Sequence, residues 1–187
     1  MVQQTQPANP VELVTARFPE AVQYVKQFAN ETTLVVDRKQ VIEVLKFLRD
    51  TKGLLYNFLS DISSVDYYPD PTTEQRPERF AVSYHLYSLM FNRRIRVKTF
   101  VPEDDATVPT ATTVWEAANW LEREIWDMMG IFFEGHPDPR RVLMPADWDG
   151  HPLRRDVPLG YETIMFSFNV EEILKHKPTG KEGRVSE

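Results

Sequence analysis

The stretch RFAVSYHLYSLMFNRRIRVKTFV, residues 79–101, contains two runs of strand-forming residues that follow each other closely. In the second run, apolar residues and threonine alternate with cations. One face would carry Ile95, Val97, Thr99 and Val101, and the other face Arg94, Arg96 and Lys98. A period of two is typical of an antiparallel strand with one buried and one solvated face. The stretch therefore predicts a β-hairpin.

Shorter stretches before this hairpin also favour strands. Residues 21–28 and 32–37 predict a second hairpin, which turns at residues 29–31, and the apolar run 54–59 predicts another strand. The three prolines within residues 69–78 indicate a surface loop. Together these stretches predict one small, mostly antiparallel sheet of about four strands.

Three helices are predicted around the sheet. A short helix begins at Pro10, where a missing N–H is tolerated, the main helix lies within residues 39–53, and a third helix spans residues 114–129. The predicted class is therefore α+β, with a small, mostly antiparallel sheet and packed helices over residues 1–130. An extended Pro-rich C-terminal arm is expected over residues 131–187.

The third predicted helix is apolar on more than one side. Its stripe towards the sheet would consist of Val114, Ala118, Leu121, Ile125 and Met128. At ~100° per residue, Trp115, Trp120 and Trp126 point in different directions. Trp120 would lie near Arg123 and Asp127, which are four residues apart and are predicted to form an ion pair. This face is covered either by the domain itself or by a partner protein, since Trp and Arg are enriched in interface cores.

The stretch EGHPDPRRVLMPADWDGHPLRRDVPL, residues 134–159, shows no helical or strand period and contains five prolines. Every cation between Lys98 and Lys175 is an arginine, which keeps its charge when desolvated and presents a planar fork to carboxylates. Prolines hold the backbone extended before binding. This composition predicts an arm that lies across another protein. The alternative is an arm that wraps its own domain, beginning with an edge strand near residues 130–134.

The arm also offers metal ligands, namely His136, His151, Asp138, Asp147, Asp149 and Asp156. However, both histidines precede proline, and their spacing matches no familiar template of ligands on a regular element. A stand-alone metal-dependent hydrolase that uses His136 and His151 remains the rival hypothesis. The chain contains no cysteine, which excludes thiol nucleophiles and clusters held by thiolates.

The composition bears on partners and location. A net charge of −6 and a pI near 5.3 give no electrostatic indication of nucleic-acid binding. No run of about 18 apolar residues is present, so no transmembrane helix is predicted. The first residues lack the pattern of a signal peptide, and we expect the chain to stay on the cytoplasmic side.

Several motifs resemble one family. The stretch EREIWDMMGIFFEGHPDPRRVL, residues 122–143, resembles the signature of the C-subunit family of NADH:quinone oxidoreductase, respiratory complex I. Residues 76–89, 94–120 and 143–162 are also similar to that family, so the resemblance covers roughly residues 30–162. One departure is Arg155-Asp156-Val157, where members often have Lys-Asp-Tyr.

The resemblance implies a non-catalytic subunit in the peripheral arm of a proton-pumping enzyme, attached to the cytoplasmic side of the cell membrane. Its partners would be the large subunit related to [NiFe]-hydrogenases and the small subunit with the terminal iron–sulfur cluster. Iron–sulfur clusters, FMN and quinone would be held by partner subunits, and this chain would bind no cofactor. The alternative is the equivalent subunit of a ferredoxin-, deazaflavin- or hydrogenase-type relative.

Catalytic, cofactor-binding and metal-binding residues are accordingly not expected in this chain. The resemblance and the composition of the arm instead indicate architectural and interface residues. These are Trp120, Glu122, Arg123, Glu124, Asp127, His136, Asp138, Arg140, Arg141, Asp147, Trp148, His151, Arg154, Arg155 and Asp156.

Overall fold

A computed structural model describes residues 7–70 and 72–157. In chain order the elements are α1 (Pro10–Arg17), β1 (Val22–Phe28), β2 (Glu31–Val36), α2 (Val41–Asp50), β3 (Phe58–Asp66), β4 (Phe80–Ser88), β5 (Arg93–Val101), β6 (Thr107–Pro109), α3 (Ala118–Met129) and β7 (Phe132–Glu134). The first helix begins as expected, because the Asn9 side chain accepts the Val11 N–H at 3.1 Å.

The predicted hairpin is present as β4 and β5, which pair in antiparallel register over their whole length. They lie in a five-stranded sheet of order β1-β2-β5-β4-β3, in which β2 and β5 are parallel and the other neighbours are antiparallel. The β1–β2 hairpin is also confirmed, and both Ala29 and Asn30 have positive φ at its turn. The α+β class is therefore confirmed, with one strand more than predicted.

The strand predicted at residues 54–59 is wrong in its position. Residues 52–54 form a turn, residues 55–57 have no regular secondary structure, and β3 begins only at Phe58. Tyr56 is buried all the same, and its N–H donates to the Leu48 carbonyl of α2 at 3.0 Å. The apolar run thus closes the core at the end of a helix, and periodicity alone does not distinguish this from a buried strand.

The three helices contribute to one core on one face of the sheet. Val14 of α1, Leu45 of α2 and Ile125 of α3 belong to the same apolar cluster as Val97 of β5. The opposite face, here called the outer face, carries a separate cluster that contains no residue from the described helices. Its members are Val35, Ala81 and Phe100, with Tyr24 and Tyr67 packed against them. The cations of β5 lie on this outer face.

The third helix begins later than predicted, at Ala118 rather than Val114. The preceding segment turns so that the Trp115 ring is buried and its Nε1–H donates to the Asn57 carbonyl at 3.2 Å. The domain itself therefore covers this tryptophan. The helix ends, as predicted, at Gly130, whose φ of 73° is the left-handed conformation common at helix ends.

The arm starts as an edge strand of its own domain, since β7 pairs in parallel with β6. From Gly135 to Val157 the described arm contains no helix or strand. The rest of the predicted arm, residues 158–187, lies outside the described residues, and its contact with partner subunits stays a prediction. No helix within the described residues is long and apolar enough to cross a membrane.

Candidate interface formed by α3 and the arm

The side chain of Asp127 on α3 holds the arm by its backbone. Its Oδ2 accepts the N–H groups of Val142, Leu143 and Met144 at 3.0, 2.8 and 2.9 Å, and its Oδ1 lies 2.5 Å from Arg141 Nη1. Burial alone would raise the pKa of this carboxyl, but hydrogen bonds from the Met144 N–H and the Arg141 guanidinium hold the pKa below its ordinary value. Asp127 is therefore a buried anion whose ligands come from the arm.

Arg141 ties two parts of the arm together. Besides the Asp127 carboxylate, it binds the carbonyls of Trp148 and Gly150 through Nη2 at 2.9 and 3.1 Å. Trp148 thus contributes to the site through its backbone. One side chain of the arm links α3 to a segment of the arm seven to nine residues farther on.

Arg123 and Asp127 do not form the predicted ion pair. Arg123 Nε donates to the Arg140 carbonyl at 2.9 Å, and its Nη1 lies 3.6 Å from Asp138, whereas Asp127 pairs with Arg141. The prediction fails because spacing along a helix says nothing about backbone groups that fold over that helix from elsewhere. Both side chains instead point to the arm.

Glu122 is fully buried beneath the segment that follows β6. Its Oε2 accepts the Thr110 hydroxyl at 2.5 Å and its Oε1 the Ala111 N–H at 2.6 Å. Burial raises the pKa of this carboxyl to about 7, against the opposing effect of these two hydrogen bonds.

The nearest imidazole is that of His136, with Nε2 4.0 Å from Glu122 Oε2. Its Nδ1 accepts the Asp138 N–H at 3.0 Å, so we assign the proton to Nε2, which donates to the Asn119 carbonyl at 3.2 Å. No lysine or arginine among the described residues forms an ion pair with the Glu122 carboxyl.

Farther on, the arm crosses the C-terminal end of α3. His151 Nδ1 donates to the Asp127 carbonyl at 3.0 Å, and Arg154 Nε donates to the Met129 carbonyl at 2.7 Å. The last carbonyls of a helix have no partner within it and favour cations. The arm therefore caps the helix. A Cβ at Gly130 would come within 2.5 Å of both the His151 and Arg154 side chains.

We expect Gly130→Ala to lower the free energy of unfolding by about 2 kcal/mol, because a left-handed alanine costs about 1 kcal/mol and the displaced arm side chains lose hydrogen bonds of similar value. Gly150→Ala is the matched control, since Gly150 has a similar φ of 80° but open space around its Cβ position. Urea unfolding of both full-length variants measures the difference. Equal losses in the two variants would contradict the packing of the arm on this helix end.

A second charged cluster holds the far end of the described arm. Arg79 binds Asp66 through two hydrogen bonds of 3.0 and 2.9 Å and lies 3.0 Å from Asp156, while Asp66 Oδ2 accepts the Arg155 N–H at 3.0 Å. Arg155 and Asp156 were predicted from the sequence as site residues, whereas Asp66 and Arg79 were not. Strand register is the signal that would have found them, since the β3–β4 pairing places Asp66 opposite Phe80, the neighbour of Arg79.

The geometry around the two histidines does not favour a metal site. Both ring nitrogens of His136 are bound to backbone groups, and His151 Nδ1 is bound to a carbonyl. Asp138 and Asp156 are paired with arginines, and Asp147 is exposed with no hydrogen bond or ion pair to a described residue. Within the described ranges, no group of three His, Cys, Asp or Glu is placed to hold a metal ion. The geometry gives no support to the hydrolase hypothesis.

Most of the chain, residues 34–163, matches the family model described as respiratory-chain NADH dehydrogenase, 30 Kd subunit. The chain belongs to this family. It is 43% identical to the C subunit of the NADH-quinone oxidoreductase of Roseiflexus sp. (strain RS-1) over 175 residues, which are 94% of this chain and 97% of the relative. It is 47% identical to the corresponding C subunit of Geobacter metallireducens over 143 residues, 76% of this chain and 84% of the relative.

Two solved structures are also similar to this chain. A trypsin-resistant fragment of Nqo5 is 38% identical and superposes with a TM-score of 0.59, covering 70% of this chain and 99% of the fragment. A chain from the membrane-bound sulfane sulfur reductase, an archaeal respiratory membrane complex, superposes with a TM-score of 0.64 over 80% of this chain and 84% of that chain. At 22% identity this second likeness shows a shared fold only.

Other predicted site residues of this member of the 30 Kd subunit family face outward. Trp120 is 63% exposed, with the Arg123 guanidinium 4.8 Å from the centre of its ring, and the Arg140 side chain is 78% exposed. Glu124 is also exposed and has no hydrogen bond or ion pair to a described residue. Large exposed apolar side chains occur on β7 and the arm as well, at Phe132, Val142, Leu143 and Leu153.

Proposed function

We propose that this chain is a structural subunit of the peripheral arm of a proton-pumping NADH-quinone oxidoreductase and has no catalytic or cofactor-binding group of its own. It braces the hydrogenase-like large subunit and the small subunit with the terminal iron–sulfur cluster, near the quinone site. These partners hold the iron–sulfur clusters, FMN and quinone. The chain lies at the cytoplasmic face of the cell membrane without inserting into it. The names of its relatives support the enzyme assignment.

The observation that carries the proposal is the contrast between the backbone and the side chains of the arm. The Asp127 carboxylate accepts hydrogen bonds from three consecutive N–H groups of the arm. Leu143 donates one of them, yet its side chain is 59% exposed. An arm that is already ordered loses less conformational entropy on binding a partner. Trp120 is exposed and stacks on Arg123. Tryptophan and arginine are among the residue types enriched in interface hot spots.

The charged residues of the site support a structural role over a chemical one. Asp127, Arg123 and Arg141 direct their polar atoms to backbone groups of the arm or to each other. Glu122 is sealed from solvent by Thr110 and the chain that follows it. A general acid or base must reach the proton of a substrate, whereas Glu122 is buried and the other three side chains hold the arm.

We expect Trp120→Ala to reduce the amount of assembled enzyme several-fold, because truncating an interface tryptophan typically costs 2 kcal/mol or more of binding energy, about a 30-fold change in affinity. Turnover per assembled enzyme should be unchanged. The native host would carry the tagged variant, and membranes would be assayed for co-purifying subunits, iron and NADH-quinone activity.

Met90→Ala is the matched control, since Met90 is 68% exposed at the β4–β5 turn and belongs to neither α3 nor the arm. The isolated Trp120→Ala chain should unfold at the same urea concentration as the parent. Normal abundance of the complex with low turnover would overturn the structural assignment. An equal loss of complex in both variants would overturn the placement of the interface on α3.

A further inference from the structure

We infer that the outer face of the sheet binds an extended acidic segment of a partner protein, with carboxylates at alternate positions, through the cation row Arg94, Arg96 and Lys98. This surface lies on the opposite side of the sheet from the helices and is separate from the interface proposed above. The inference does not rest on the proposed function, because it concerns an interaction of the isolated chain.

The cation row runs along the middle of the outer face. β5 is the central strand of the five, and its alternate residues repeat about every 6.6 Å on one side, so the row spans about 13 Å. In register, Arg96 lies between Thr33 and His85, Lys98 lies between Val35 and Ser83, and Arg94 lies beside Tyr87. The short side chains Thr33, Val35 and Ser83 are buried at the floor of the face, so the longer cations beside them stand above them.

The row lies in a groove that consists of two adjoining cavities. These cavities, of about 460 and 550 Å³, share Glu31, His85 and Arg96 as lining residues. Lys98 lines the first cavity and Arg94 the second, so the groove follows the row from end to end. A groove of this length fits several residues of extended chain better than one compact small molecule.

The charges of the row are held in position but only partly neutralised. Lys98 Nζ binds the Tyr67 hydroxyl at 2.5 Å and lies 5.0 Å from the centre of the Phe100 ring, and neither partner is a carboxylate. Arg94 stacks on Tyr87. Neither cation has an ion pair with a described carboxylate, whereas Arg96 pairs with Glu31 at 2.7 Å. Aromatic rings hold these cations in position without neutralising them, so their positive charge can attract carboxylates of a partner.

A bridge across the face favours a short segment over a long polyanion. The Tyr24 hydroxyl on β1 donates to the Gln75 carbonyl in the β3–β4 connection at 2.8 Å, which links the two sides of the sheet above its floor. Asp61 lines the second cavity and Glu31 lines both cavities, and the chain as a whole carries a charge of −6. A nucleic acid that ran beyond the row would meet this negative charge, whereas a peptide of about five residues covers the row alone.

The test uses the purified full-length chain and two fluorescent peptides of identical composition. In Gly-Asp-Thr-Asp-Thr-Asp-Gly the carboxylates alternate, and in Gly-Asp-Asp-Asp-Thr-Thr-Gly they are contiguous. At low ionic strength the alternating peptide should bind about fivefold more tightly. The double variant R96Q/K98Q should weaken its binding about tenfold. The control K46Q/K52Q removes the same charge from exposed positions on the helical side and should change binding less than about twofold.

Equal affinity for the two peptides, or equal losses in the two double variants, would overturn the inference. Tighter binding of an oligothymidylate that competes with the peptide would also overturn it in favour of a nucleic acid. Circular dichroism confirms that each variant is folded. If R96Q/K98Q does not fold, Arg94→Gln serves instead, because Arg94 is exposed and has no described ion pair, and about threefold weaker binding is expected.

Discussion

Replacing Asp127 by asparagine is expected to lower the free energy of unfolding by about 3–5 kcal/mol, because the change leaves buried groups without their partner. Oδ2 of Asp127 accepts three backbone N–H groups and Oδ1 faces Arg141. An asparagine side chain has one acceptor oxygen and one NH₂ group. Its NH₂ group would face either the three backbone N–H groups or the Arg141 guanidinium, all of which are donors. The arm would then separate from α3 while the sheet stays folded.

Hydrogen exchange of the full-length variant tests this expectation directly. The amides of Val142, Leu143 and Met144 should exchange at least about tenfold faster than in the parent chain, since each 1.4 kcal/mol changes an opening equilibrium tenfold. Asp147→Asn is the control, because it makes the same chemical change at an exposed site of the same arm. Unchanged protection of these three amides in Asp127→Asn would show that the carboxylate does not hold the arm.

Glu122→Gln is expected to stabilise the chain by up to about 3 kcal/mol at pH 8, and by less than about 1 kcal/mol near pH 5. Burial raises the pKa of Glu122 from its ordinary 4.5 to about 7 in the folded chain. Between these values the folded chain keeps a proton that the unfolded chain releases, so stability falls as the pH rises through this window. Glutamine resembles the neutral acid at every pH and avoids this loss.

Urea unfolding at pH 5, 6, 7 and 8 gives the difference between Glu122→Gln and the parent. Other titrating groups are common to both chains and cancel in this difference. Glu124→Gln is the control, since Glu124 is exposed on the same helix, and its difference from the parent should be flat with pH. If the difference in the free energy of unfolding between Glu122→Gln and the parent does not grow between pH 5 and pH 8, the pKa of Glu122 is not raised in the folded chain.

Features that depend on local periodicity could be predicted from the sequence. The alternation of Ile95 and Val97 with Arg94 and Arg96 identified β5 and its two faces, because strand geometry places every second side chain on the same side. The apolar spacing in residues 39–53 located α2, and Gly130 marked the end of α3.

Contacts between segments that are distant in the sequence could not be predicted in this way. The i, i+4 spacing of Arg123 and Asp127 suggested an ion pair, yet each side chain found partners in the arm. Asp66 and Arg79 gave no local signal, since their role depends on strand register and on Arg155 lying 89 residues farther along the chain than Asp66. Composition identified the arm but not the groups that hold it.

The placement of the arm's anchors has a consequence for the order of events during synthesis. Asp66 and Arg79 belong to the β3–β4 hairpin and Asp127 to α3, and all three precede residues 140–157 in the chain. Translation proceeds from the N-terminus, so every anchor leaves the ribosome before the segment that it holds. The arm is therefore the last part of the described chain to find its place. The α3 surface, where we propose the partner interface, is therefore complete only after residues 140–157 have been synthesised and have folded onto the helix.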